Sequence, residues 1–167
     1  MSLGQLLRGG RPGRGALIWD GTSWSASSQI RWPDPNDGIT NVSCATASFC
    51  AAGDEDGDIR VWDGTSWSID HQVVPGSTSG GAHSISCPSA SFCMAVNDLG
   101  NAIVWNGTSW SIPQSIDPNL ANVRGPAANM YGNGQVPLGL FSVSCPTASF
   151  CVAVGSDGDA VIGRQAG

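Results

Sequence analysis

Lysine is absent from this sequence of 167 residues, and glutamate occurs once, as Glu55. All seven basic residues are arginines, set against 13 acidic ones, and charged residues make up only 12% of the chain. A helical bundle draws heavily on Lys, Glu, Leu and Ala, so this scarcity argues against one. The formal net charge of −6 argues against a nucleic-acid partner, because phosphate binding rests on clustered Lys and Arg. Arg8, Arg11, Arg14 and Arg31 lie near the N-terminus, which leaves the rest still more acidic. Also missing is any run near the roughly 20 apolar residues that cross a bilayer, so membrane insertion is not expected. The opening MSLGQLLRGGRPGRG lacks the apolar core of a secretory signal; residues 1–14 read as a flexible tail, and the chain as an excerpt or as one that has lost its signal.

What the sequence does contain is repetition. DGTSWS occupies residues 20–25 and 63–68, and NGTSWS occupies 106–111, each 43 positions after the last. A fixed period of that size marks a repeated supersecondary unit. Six cysteines repeat with it, in VSCATASFC (Cys44, Cys50), ISCPSASFC (Cys87, Cys93) and VSCPTASFC (Cys145, Cys151). Alternating apolar residues flank each pair and turn formers fill it, which reads as two antiparallel strands joined by a short loop. Val42 and Cys44 then share a face, as do Cys50 and Ala52, so hairpin disulfides are the first reading. Free buried thiols and a metal site are the alternatives. Zinc hairpins, however, space their cysteines by two to four residues and need two pairs close in space. Disulfides imply an oxidising compartment, hence a secreted or cell-surface protein.

Aligned on the cysteines, the units continue as AAGDEDGDIRVWDGTSWS, MAVNDLGNAIVWNGTSWS and VAVGSDGDAVIGRQAG. Turns are expected at Gly57, Gly100 and Gly158, and again at Asp63-Gly64 and Asn106-Gly107. The Asp-Gly and Asn-Gly pairs predict type I′ turns with both residues central. Each unit is thus a four-stranded antiparallel meander. Trp19, Trp62 and Trp105 end its third strand and Trp24, Trp67 and Trp110 begin its fourth, placed to pack across the turn.

The expected organisation is one all-β repeat domain over 15–167. It comprises a partial unit at 15–32, units at 39–75 and 83–116, a long loop at 117–139 and a partial unit at 140–167. Three blade equivalents of a β-propeller are the preferred reading, with a β-trefoil or β-prism-like threefold fold as the alternative. Propellers typically have four to eight blades, so closure by oligomerisation, as a dimer, is expected.

The pairing of SVSCPTASFCVAVGSDG with VWNGTSWS resembles the repeats of secreted bacterial proteins of propeller type, over most of the chain from about residue 15. That resemblance implies a propeller and no particular activity. IRVWDGTSW at 59–67 is similar, more weakly, to the fucose-binding lectins whose few-bladed subunits assemble into six-bladed propellers. It implies a sugar held near Arg60 and Trp62; the other units carry Leu17 and Ile103 where Arg60 stands. The Asp-box of sialidases does not match in register.

No catalytic constellation stands out. His71 and His83 lie in the connection between units without a nucleophile motif. Asp54, Asp56 and Asp58 have a spacing that could suit calcium, but the downstream Glu is absent and a solvated turn is the preferred reading. Neither metal nor cofactor is expected. The 15 residues added between Trp110 and Cys145 include the only tyrosine, Tyr131; long loops on rigid scaffolds often carry function. A noncatalytic module is expected, with a glycan as the possible ligand and Arg60, Trp62, Trp105, Trp19 and Tyr131 as candidate contacts. A structural or protein-interaction repeat is the alternative.

Overall fold

The computed structural model describes residues 15–19, 21–25, 28–29, 39–54, 57–68, 81–117, 139–155 and 158–164. The tail at 1–14 and nearly all of the 117–139 loop, Tyr131 included, lie outside the described residues. The chain divides into two compact units, Met1–Pro33 and Asp34–Gly167. In the first, β1 (Gly15–Ala16) pairs antiparallel with β2 (Ser28–Gln29), and Trp19 bridges to Trp24.

The second unit holds three antiparallel sheets. The first contains β3 (Ile39–Thr46), β4 (Phe49–Asp54) and β5 (Ile59–Trp62). The second contains β6 (Ala82–Ser89), β7 (Phe92–Asn97), β8 (Asn101–Trp105) and the short β9 (Gln114–Ser115). The third contains β10 (Leu140–Thr147), β11 (Phe150–Gly155) and β12 (Ala160–Arg164). Each sheet is one antiparallel meander in sequence order, as the repeat predicts, and among the described residues the expected fourth strand is present in the second sheet. The disulfides Cys44–Cys50, Cys87–Cys93 and Cys145–Cys151 clip the first two strands of every sheet, and no described cysteine is free.

Period-two alternation gives each sheet two apolar faces. One carries the disulfide; the other carries the phenylalanine that precedes the second cysteine. The sheets stack with the cysteine face of one against the phenylalanine face of the sheet before it. Ile85, Cys87, Cys93, Ala95, Ile103 and Trp105 therefore meet Phe49, Ala51 and Ile59. One junction further on, Val143, Cys145, Cys151 and Ala153 meet Phe92, Met94 and Val96. Close approach is built in at Gly53, where a Cβ would lie 2.9 Å from that of Ala82 and 3.2 Å from Ile85 Cδ1.

Polar side chains join the first strands of successive sheets. Ser43 Oγ accepts the Cys87 backbone N–H at 3.0 Å, and Ser86 Oγ accepts that of Cys145 at 2.9 Å. Ser84 Oγ likewise accepts from Val143 N–H at 3.1 Å, and Asn41 Nδ2 donates to the Ala82 carbonyl. The serines of the first two Ser-Cys dipeptides, Ser43 and Ser86, thus reach forward to the next blade, while the cysteine of each dipeptide clips its own.

The Trp-flanked turn closes differently from the type I′ expectation. Trp62 and Trp67 form a bridged pair, and Asp63 N–H donates to the Ser66 carbonyl. Gly64, at φ +96°, therefore occupies the first central position and Thr65 the second, the placement of glycine found in type II′ hairpins. Asp63 faces Ser66 across the turn and captures it from the side. Its Oδ1 accepts from Thr65 N–H and Ser66 N–H, both at 2.8 Å, and from Thr65 Oγ1 at 2.7 Å. Asn106 Oδ1 repeats all three bonds to Thr108 and Ser109. The Trp62 and Trp67 rings then lie 5.7 Å apart, and the Trp105 and Trp110 rings 5.6 Å. Hydrogen bonds from the Ser66 backbone, the Thr65 side chain and the Thr65 backbone, in that order, lower the Asp63 pKa from 3.8 to about 2.

Two outcomes follow. Ser86→Ala leaves the Cys145 N–H without its acceptor and should cost about 1 kcal/mol, a fall of roughly 3 °C in thermal midpoint read by calorimetry. At Asp63 the depressed pKa means that the turn's contribution is full above pH 3.8 and is lost as pH falls through about 2. Asp63→Asn should therefore keep the neutral-pH midpoint, as Asn106 does in its own turn, and flatten the acid limb, whereas Asp63→Ala should lower the midpoint at neutral pH.

Candidate functional site

Arg60 and Trp62 sit on β5 two residues apart, so both project from the cysteine face of the first sheet, across from Ala52 and Cys50. Arg60 is only 5% exposed, and its guanidinium donates from Nη1 to the Ser68 carbonyl at 2.7 Å. That bond ties the third strand to the segment following the turn, where Ser68 also exchanges hydrogen bonds with Val61. Trp62 is half-buried, and its indole N–H donates to the Ala47 carbonyl at 3.2 Å. Trp105, at the same place in the second sheet, is 7% exposed and donates to the Ala90 carbonyl at 3.0 Å. Its ring packs 6.1 Å from that of Phe49, inside the junction between the first two sheets.

Arg60 and Trp62 thus share one face, while Trp105 belongs to the next sheet. Trp19 lies in the other compact unit with its ring 5.6 Å from that of Trp24; the two are 51% and 64% exposed. Leu17, which stands where Arg60 stands in the repeat, is 55% exposed, and Ile103 is fully buried.

Among the described residues, Asp54, Asn97, His83 and Asp98 make contacts within the fold. Asp54 is buried and accepts the Asp58 N–H at 2.8 Å, closing its own turn; Asn97 does the same for Asn101 at 2.9 Å. His83 Nε2 stands 3.6 Å from Asp98 Oδ2, with its ring 5.0 Å from that of Phe141. Glu55, Asp56 and His71 lie outside the described residues. Among the described residues, no group of three or more His, Cys, Asp or Glu could hold a metal ion.

The interblade serines were not singled out from sequence. The signal was present, since a serine precedes the first cysteine of every pair. A hydroxyl in an alternating strand, however, reads equally well as a solvent-facing position.

No family model matches the chain, and no curated protein matches it. Solved structures do. The structure of YCF48 bound to a D1 peptide aligns over 81% of this chain and 40% of its own, at 14% identity and a TM-score of 0.59. YCF48 from Cyanidioschyzon merolae aligns over 92% of this chain and 45% of its own, at 12% identity and a TM-score of 0.56. The chain therefore spans less than half the length of these neighbours. YCF48 is a β-propeller, and at these identities the likeness concerns fold alone. Sheets that repeat one meander and stack face to face are propeller-like blades, in an all-β protein whose three disulfides fit an oxidising environment.

Proposed function

We propose that the chain is a noncatalytic interaction module of a secreted, Cys-paired propeller repeat protein, and that its blades associate with those of a second copy. The observation that carries this reading is the fate of equivalent side chains at the two ends of the stack. Val42, Ile85 and Val143 hold the same repeat position; the latter two are 7% exposed, but Val42 is 60% exposed. On the opposite face Val96 is fully buried, while its equivalent Val154 is 43% exposed and neighbouring Ile162 is 57% exposed. One end thus exposes Val42 on a cysteine face whose Ala52 and Arg60 are buried, and the other exposes Val154 and Ile162 on a phenylalanine face, the kinds of face that meet at each internal junction. Joining unlike faces is a heterologous contact, which closes when the rotation completes a ring. Two copies bring six blades, within the usual four to eight.

A second reading, binding of a sugar ring, is supported by the exposed Trp19 and Trp24 pair, whose rings offer apolar faces for stacking. Of the described candidate contacts, Trp19 offers the most ring surface; Arg60, Trp62 and Trp105 would need to act from more buried positions.

Light scattering on a sizing column tests the first reading. The oxidised protein should elute near twice 17.1 kDa, and Val154→Asp should bring it to a monomer without loss of the folded spectrum. A wild-type monomer at all concentrations would contradict the association. For the second reading, a glycan panel should give a hit that Trp19→Ala weakens tenfold or more; a hit indifferent to Trp19→Ala, or a blank panel, removes it.

A further inference from the structure

The three disulfide hairpins share one sequence pattern but not one environment. Cys87 and Cys93 are 6% and 0% exposed, and Cys145 and Cys151 are 5% and 4%, because each pair lies in a junction against the preceding sheet. On the first sheet Cys50 is half-buried and Cys44 is exposed, alone among the six cysteines.

The difference follows from the alternation of β3. Asn41, Ser43 and Ala45 are turned toward the second sheet, where Asn41 and Ser43 hydrogen-bond to Ala82 and Cys87 and Ala45 packs on the shared core. Thr40, Val42, Cys44 and Thr46 point the other way, and all four are exposed.

Exposure decides the chemistry open to each disulfide. A thiolate must approach a sulfur in line with the S–S bond, which a packed sheet prevents, so exposed disulfides are the labile ones and buried ones resist exchange. Charge adds no obstacle at close range. Residues 39–53, which span the first hairpin, contain no Asp, Glu, Arg or His, so an anionic thiolate meets no fixed like charge within it.

We propose that Cys44–Cys50 is a thiol–disulfide exchange site for a small-molecule thiol, open in the unassociated chain, while the other two disulfides are structural. The thiolate attacks Cys44 Sγ, the exposed end. A new S–S bond joins the two, the Cys44–Cys50 bond breaks, and the electron pair leaves on Cys50 Sγ, which takes a proton from water. A second thiolate then attacks the small-molecule sulfur of that mixed disulfide and frees Cys44. Two thiols are thereby oxidised to one disulfide as the protein disulfide is reduced to two thiols. A second copy that sets its phenylalanine face against β3 covers Cys44 as the first sheet covers Cys87, so association slows the exchange. That link rests on the association proposed above; the exchange itself does not.

The sequence suits the test, because cleavage at Arg31, Arg60, Arg124 and Arg164 of the lysine-free chain yields peptides 32–60, 61–124 and 125–164, each with one cysteine pair. Val154→Asp, the variant designed to stay monomeric and altered on the third sheet, is incubated with millimolar reduced glutathione under native conditions. Samples are alkylated with iodoacetamide at intervals and then cleaved. Peptide 32–60 should be alkylated at least tenfold faster than either of the others, and acid-quenched samples should carry glutathione on Cys44. Equal rates, earlier reaction of 61–124 or 125–164, glutathione on Cys50 alone, or no reaction of 32–60 in the folded protein would overturn the proposal. In wild-type protein that light scattering shows to be a dimer, alkylation of 32–60 should slow at least tenfold. An undiminished rate there overturns the covering of Cys44 and leaves the exchange site standing. A monomeric wild type would contradict the association, and fast, selective alkylation of its peptide 32–60 would still uphold the exchange.

Discussion

The backbone N–H of a cysteine, received by a serine hydroxyl of the preceding sheet, is the bond on which the stacking depends. Ser43 and Ser86 each receive one such N–H, from Cys87 and Cys145. An apolar face could slide on its neighbour, because burial is non-directional. A directed hydrogen bond in a part-buried seam fixes register as well as separation, since a shifted sheet would leave a donor unmatched. The disulfide then holds that same cysteine to its own sheet. Two adjacent residues thus couple the integrity of a blade to its attachment.

The Trp-flanked hairpin does for the outer part of the blade what Ser-Cys does for the first strands. Its aspartate or asparagine substitutes a side chain for a backbone acceptor, and Gly64 packs against Ser48 of the disulfide hairpin, where its Cβ would lie 3.1 Å from that of Ser48. The indole N–H adds a bond to the same hairpin loop. When the tryptophan is replaced, as at Gly163, the blade keeps its pairing of Cys151 with Gly163 but gives up side-chain volume at the junction. Propeller junctions are therefore places where one residue decides between a filled core and an accessible cleft.

Much of this was legible in the sequence because the repeat compares one unit with another. The meander, the turns at Gly57, Gly100 and Gly158, and the cysteine pairs follow from spacing, and the structure bears them out. The turn at Asp63-Gly64 was placed correctly and typed wrongly. A dipeptide signal does not reveal that the Asp63 carboxylate, more than backbone geometry, organises the loop. The candidate ligand residues show a different limit. Alternation assigns Arg60 and Trp62 to one face but is silent on what covers that face, so it cannot separate a strut such as the Arg60–Ser68 bond from a presented side chain. Gly163 was visible in the alignment of units; its consequence needed the neighbouring sheet.

Amide hydrogen exchange resolved by residue is the most direct measurement of the interblade bond. If serine hydroxyls join the sheets, the amides of Cys87 and Cys145 should be among the slowest in the oxidised protein, and Ser86→Ala should speed Cys145 while leaving Cys87 unchanged. Exchange at Cys87 and Cys145 as fast as at the exposed turn residue Ser91, or unaltered exchange at Cys145 in the variant, would contradict the stacking by Ser-Cys pairs.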